Sequence, residues 1–247
     1  MPFVTIKGIK TNYEIGEGND PTVVFVHGAG GSSVVWYNQL QVLRGNFRAI
    51  AIDLPGHGRS AFATTTENAE FVAQFTAALG IDRFILSGHS MGGATSIEFA
   101  LRFPERLSGL ILVGTGARLR ISSEILEGLG KGEFPFADSR QLFGPDASES
   151  MVDHSWREMQ EVGPDVYLAD FQACHQFDRS QDIAQIKTPT QIIVGDLDVM
   201  TPVKYSVFLN EAISGSHIKV ITGAGHMVML EKPVELNQAL LDFLKRL

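Results

Sequence analysis

The reading of this chain turns on Phe84-Ile85-Leu86-Ser87-Gly88-His89-Ser90-Met91-Gly92-Gly93. A short apolar run leads into Gly88-x-Ser90-x-Gly92, and Ala94-Thr95-Ser96-Ile97-Glu98-Phe99-Ala100 follows with the composition of a helix. A strand that turns directly into a helix through one serine is a nucleophile elbow. The turn is tight enough to strain the serine backbone, and the positions two before and two after it cannot carry bulk. Gly88 and Gly92 stand there. The geometry lifts the Ser90 hydroxyl off the sheet and sets it at a helix N-terminus, where free N–H groups and the helix dipole favour developing negative charge. The five-residue pattern by itself also occurs in Gly-Ser-rich turns without chemistry; its place between a strand and a helix selects the nucleophile reading.

Apolar runs alternate with helical patterns on both sides of this stretch. Upstream, residues 3–7 and 10–15 have the pattern of a hairpin turned near Gly8. Thr22–Val26 is continuously apolar, as a strand buried on both faces should be. A helix over Val34–Leu43, a strand over Phe47–Ile52 and a helix from Thr66 to about Leu79, closed by Gly80, complete that half. Downstream, the elbow helix runs to about Phe103 and stops at Pro104, and Leu110–Val113 is another buried strand. The rhythm then breaks, because residues 116–187 offer helix-like stretches but no clear strand. They carry seven Lys/Arg and thirteen Asp/Glu, a charge of −6 out of −8 for the chain. We expect an inserted helical cap there, with an acidic, solvated outer face, between core segments 1–115 and 188–247. Strands at Thr190–Val194 and His217–Ile221, with helices from Val203 to Ile213 and from Pro233 to Leu247, restore the alternation. Such alternation predicts an α/β fold, a mostly parallel sheet with helices on both faces. In these sheets the site lies beyond the carboxyl ends of the strands.

Hydrophobic residues make up 44% and charged residues 19% of the 247, the balance of a packed globular chain. The net charge argues against nucleic acid or an anionic membrane as main partner. No apolar stretch approaches the ~20 residues that span a bilayer. Residues 1–8 alternate like a strand and lack the apolar core of a secretion signal. A single cysteine, Cys174, leaves no internal disulfide, so a cytoplasmic protein, monomeric or a small homo-oligomer, is expected.

A serine hydroxyl needs an adjacent general base, and histidine suits the role. Of seven histidines, His226 stands in the small-residue loop Gly223-Ala224-Gly225-His226-Met227 directly after the last strand. His27 and His57 lie in turn-rich loops and are expected to hydrogen-bond backbone. The others occupy the variable position of the elbow (His89), a strand start (His217) and the insertion (His154, His175). The base must be held in one tautomer by a carboxylate. Asp196 and Asp198 both follow the Thr190–Val194 strand on the same side, so spacing leaves either open. An oxyanion would rest on backbone N–H groups, expected to be those of Met91 and of Ala29 in the glycine-rich loop His27-Gly28-Ala29-Gly30-Gly31. That loop lacks the Gly-Lys-Ser/Thr of a nucleotide-binding loop.

Together these motifs resemble the α/β-hydrolase superfamily over nearly all of the chain outside the insertion. His27-Gly28-Ala29-Gly30 is similar to that family's oxyanion loop, and Asp53-Leu54-Pro55-Gly56-His57-Gly58-Arg59-Ser60 to its mainly structural Asp-x-x-Gly-x-Gly-x-Ser loop. Gly88–Gly93 resembles its elbow, and Gly225-His226-Met227 with Glu231-Lys232-Pro233 its histidine loop. Gly195-x-x-Asp198-x-x-Thr201-Pro202 resembles the acid loop, an alignment that selects Asp198 over Asp196. The resemblance implies an eight-stranded, mostly parallel sheet with a helical cap after strand six, matching the break at Gly116.

Ser90 sets the chain apart from the aspartate-nucleophile dehalogenases and epoxide hydrolases. The expectation is therefore a serine carboxylesterase cleaving small-molecule esters of small to medium apolar acyl groups, with Ser90, His226 and Asp198 as triad and no metal or cofactor. Trp156, Phe136 and Phe143 of the aromatic-rich insertion are expected to bind substrate. The same elbow serves carbon–carbon bond hydrolases, monoacylglycerol lipases, perhydrolases and ligand sensors with a slow triad. A carbon–carbon bond hydrolase would pair a cation such as Arg157 or Arg179 with a substrate carboxylate.

Overall fold

A computed structural model gives the fold and describes residues 2–63, 67–134 and 139–247. Strands β1 (Phe3–Ile6) and β2 (Ile9–Gly16) form the hairpin. Then come β3 (Asn19–Val26), α1 (Tyr37–Leu43), β4 (Phe47–Ile52), α2 (Asn68–Ala78), β5 (Phe84–His89), α3 (Met91–Arg102) and β6 (Leu107–Val113). Helices α4 (Ser123–Gly130), α5 (Glu149–Val162) and α6 (Pro164–Gln176) separate β6 from β7 (Thr190–Gly195). The chain closes with α7 (Val203–Ala212), β8 (His217–Ile221), α8 (Val228–Glu231) and α9 (Pro233–Leu244).

The eight strands form one sheet in the order β1-β2-β4-β3-β5-β6-β7-β8, in which only β2 runs against the rest. Strand β3 shows why two helical layers are needed. Val24 and Val26 face a cluster with Phe71, Val72 and Phe75 of α2 and Ile97 of α3. Val23 and Phe25 face the opposite cluster, with Leu40 and Leu43 of α1 and Leu240 and Phe243 of α9. Each buried aliphatic or aromatic side chain contributes roughly 1.5–3 kcal/mol, so a strand apolar on both sides is stable only between two layers.

Boundaries differ from the apolar pattern in several places, β6 for one beginning at Leu107 and not Leu110. Strand β3 begins at Asn19, because backbone pairing with Phe47 does not require an apolar side chain. The first turn before α1, Ser33–Trp36, is a 3-10 helix capped by the Ser32 hydroxyl. The expected long loop after β8 contains the short helix α8. The start expected at Thr66 lies outside the described residues, and α2 runs from Asn68.

Because β3 is flanked by β4 on one side and β5 on the other, the winding direction reverses there. The carboxyl ends of β3 and β5 open a crevice at that reversal. The glycine-rich loop and Ser90 emerge at those two ends. Between β6 and β7, the described residues of the insertion hold helices and no strand; an isolated bridge, Arg118 to Asp178, joins the two ends. The insertion has its own apolar cluster, built on Leu129, Leu142, Phe143, Val152, Met159, Tyr167 and Phe171.

Candidate active site

Ser90 leaves β5 with φ 52° and ψ −115°, a strained conformation for a residue with a side chain, costing roughly 1–3 kcal/mol. Its neighbours hold it there. The Ser90 N–H donates to the Val113 carbonyl (3.0 Å), while the Thr115 hydroxyl (2.8 Å) and the Ala94 N–H (3.0 Å) donate to the Ser90 carbonyl. A Cβ on Gly88 would strike the Gly92 carbonyl, and one on Gly92 the carbonyls of Val26 and His27. Close approach, not a special φ, requires glycine at both positions.

Asp198 sits after β7 and His226 after β8, and their side chains meet with Nδ1 2.9 Å from Oδ2. Asp198 also accepts from the N–H groups of Met200 and Thr201 and from the Thr201 hydroxyl, each at 2.8 Å. Burial pushes the Asp198 carboxyl up, but the His226 charge and hydrogen bond and the Thr201 donors outweigh it and hold it well below the carboxylate range. A folded-state pKa below the unfolded value means stabilisation that is complete above the ordinary 3.8 and disappears as pH falls through the depressed value. Wild type should therefore lose stability more steeply than Asp198→Asn on acidification below about pH 4, as followed by circular-dichroism melts. Asp196 faces elsewhere, accepting the Gly223 N–H at 2.7 Å in an exposed turn.

The histidine loop is fastened from three directions. The His226 and Met227 N–H groups donate to the Leu142 carbonyl of the insertion at 2.8 and 3.1 Å. The Glu231 carboxylate accepts from Gly225 (2.9 Å) and Gly144 (2.6 Å). Nε2–H of His89 donates to the His226 carbonyl at 3.0 Å, with the two rings 4.5 Å apart. Burial and the neighbouring His226 lower the His89 pKa well below an ordinary imidazole, so the ring stays neutral and donates. Sequence reasoning passed over His89; its only signal was a polar residue at the elbow's variable position.

Beside the elbow, the glycine-rich loop is shaped by His27. The Leu54 N–H donates to Nε2 (3.1 Å), so Nδ1 carries the proton and donates to the Gly28 carbonyl (2.8 Å). Burial, then the His57 charge, lower the His27 pKa to about 4, which keeps this tautomer neutral. Neither the Ala29 nor the Met91 N–H has an acceptor among the described residues, which leaves both available to an incoming oxygen. His57 bonds backbone as expected, donating from Nδ1 to the Pro55 carbonyl (3.0 Å). Its Nε2, however, meets Asp170 of α6 at 2.8 Å, a partnership across the insertion that no motif announces.

Ser90 and His226 line one small cavity of about 70 Å³. They do not hydrogen-bond to each other here; such contacts commonly tighten only around substrate. Ala29, Val35, Leu142, Met159, Tyr167, Phe171, Met200 and Met227 share its wall. Of the three aromatic residues expected there, Phe143 and Trp156 belong to the apolar cluster of the insertion and are not in this wall. Phe136 lies outside the described residues. Phe143 is not in the wall while its neighbour Leu142 reaches the cavity, a choice between adjacent residues that composition does not encode. Arg157 and Arg179 are also absent from the wall: Arg157 bonds the Asp153 carbonyl, and Arg179 is paired with Glu98. Among the described residues, no group of three His, Cys, Asp or Glu side chains is placed to hold a metal ion. No helix of these residues is long and apolar enough to cross a membrane.

The profile of the Alpha/beta hydrolase family matches residues 23–239, and the chain belongs to that family. Among solved structures it is similar to a thermophilic esterase, with 36% identity, a TM-score of 0.86 and coverage of 99% of this chain and 97% of the other. A 2-hydroxy-6-oxo-2,4-heptadienoate hydrolase of Pseudomonas putida is 32% identical, over 98% of this chain and 95% of the relative. A putative carbamate hydrolase of Rhizobium rhizogenes is 28% identical, over 91% and 92%.

Proposed function

We propose that this hydrolase cleaves carboxylic esters of small apolar acyl groups through an acyl-enzyme. The observation that carries the reading is the cavity shared by Ser90 and His226. Among the described residues its wall contains no Lys, Arg, Asp or Glu, and its volume of about 70 Å³ is far below the roughly 300–1,000 Å³ of clefts that bury larger ligands. His226 takes the Ser90 proton as the hydroxyl oxygen attacks the ester carbonyl, and Asp198 orients and stabilises the imidazolium. The oxyanion rests on the N–H groups of Ala29 and Met91. His226 then protonates the departing alcohol, and in the second half removes a proton from the water that releases the acid. Residues 116–187 act as a cap that supplies the acyl wall through Met159, Tyr167 and Phe171. Likeness to an esterase at 36% identity supports the same chemistry. A carbon–carbon bond hydrolase acting on a carboxylate substrate is less well supported, since neither Arg157 nor Arg179 reaches the wall.

A ladder of p-nitrophenyl esters from acetate to palmitate tests this. Turnover should be fastest at the short end. Phe171→Ala, which removes part of the wall, should move the optimum toward longer chains by about two to four carbons, each buried CH₂ contributing about 0.8 kcal/mol. A single burst followed by near silence would point to a sensor or another leaving group. A wild-type optimum at long chains would refute the small-acyl assignment.

A further inference from the structure

Asp170 is almost wholly buried and accepts two hydrogen bonds on the same oxygen. One comes from the Gly30 N–H at 2.9 Å, the other from His57 Nε2 at 2.8 Å. His57 Nδ1 in turn faces the Pro55 carbonyl. Both ring nitrogens thus meet acceptors, so both carry hydrogen and the ring is an imidazolium. Asp170 belongs to α6, three residues after Tyr167 and one before Phe171, which line the cavity. Gly30 approaches that helix so closely that a Cβ on it would overlap the Tyr167 ring.

We propose, resting on the serine-hydrolase reading above, that Asp170 is a positioning residue which sets the oxyanion loop from the cap, using His57 as its buried counter-charge. The Gly30 N–H and the Ala29 carbonyl share one rigid peptide plane, so the bond to Asp170 fixes that plane. On the other side, the Gly28 carbonyl is held by His27 and by the Gly31 N–H at 3.1 Å. The Ala29 N–H shares the peptide plane of that Gly28 carbonyl, and the Asp170 bond fixes the next plane, so the two planes that meet at the Ala29 Cα are both anchored. The charged groups facing His57 are Asp170 from α6 and Asp53 after β4, with the ring of His27 after β3 at 4.8 Å. Burial pulls the His57 pKa down, but the Asp170 charge and hydrogen bond raise it above an ordinary imidazole, so the charged ring outlasts the pH at which an ordinary imidazole loses its proton. Cap seating and oxyanion geometry are therefore one event.

The test compares wild type, Asp170→Asn and His57→Gln for p-nitrophenyl acetate turnover and for the rate of Ser90 labelling by a fluorophosphonate, each across pH. Folded Asp170→Asn should lose about 10- to 100-fold in kcat and in labelling rate, with KM held within about threefold. Wild type should show a decline as pH rises past the titration of an ordinary imidazole, and both variants should lack it. A folded Asp170→Asn with kcat and labelling rate within about twofold of wild type overturns the proposal, as does a loss confined to KM. If wild type is labelled but does not turn over esters, the ester reading fails while the labelling rates still decide the role of Asp170. Absence of wild-type labelling overturns both. Should Asp170→Asn not fold, His57→Gln is held to the same criteria. Should neither fold, a wild-type labelling rate that stays level to about pH 10 overturns the proposal, and a decline supports it.

Discussion

Replacing Ser90 by alanine should abolish ester turnover, lowering kcat by about 10⁵- to 10⁶-fold, while leaving the fold intact. The two halves of that expectation rest on different observations. The hydroxyl makes no hydrogen bond to the described residues; what holds Ser90 in place is its backbone, through Val113, Thr115 and Ala94. Alanine keeps those bonds and bears the same strain at φ 52°, so melting temperature should change by no more than about 2–4 °C. The chemistry, by contrast, loses its nucleophile, and only the oxyanion donors and binding remain. Intact-mass analysis after fluorophosphonate treatment should find one adduct on wild type and none on Ser90→Ala. Undiminished labelling of the variant would move the nucleophile elsewhere and sink the proposed site.

Asp198→Asn should be nearly as damaging, at about 10⁴-fold in kcat, and the reason is a tautomer. Met200 and Thr201 donate their N–H groups to one oxygen of Asp198, so an asparagine must leave its own oxygen there. Its NH₂ then faces His226 Nδ1, which has to accept and so forces the imidazole proton onto Nε2. That nitrogen can no longer take a proton from Ser90. Asp196→Asn should stay within about twofold of wild type, because Asp196 only braces the exposed turn through Gly223. Steady-state kinetics on the pair decides between the two acids: if Asp196→Asn is the worse variant, the assignment is wrong.

Much of this architecture is legible in the sequence because burial and backbone geometry leave local marks. A strand covered on both faces has to be apolar throughout, and Val23–Val26 is. An elbow in which carbonyls approach within contact distance has to have glycine at 88 and 92. Other features leave no such mark. Spacing alone could not choose between Asp196 and Asp198, since both lie on the same side of a loop; the choice came from resemblance, and in the fold only Asp198 meets His226. Trp156 and Phe143 look as suited to a substrate wall as Tyr167 and Phe171 do. All four pack in the apolar cluster of the insertion, and only the last two also reach the cavity.

The sequence by itself determined the α/β alternation, the elbow at Ser90, the small-residue loop around His226 and the insertion after the sixth strand. These depend on residues near one another in the chain, where periodicity and turn sterics act. Tertiary structure alone decided which side chains meet across distance: His57 with Asp170, His89 with the His226 carbonyl, Leu142 with the histidine loop. Hydrogen bonds between loops far apart in sequence impose no spacing on either partner. They are set by how the insertion seats on the sheet, and that seating is a property of the packed molecule.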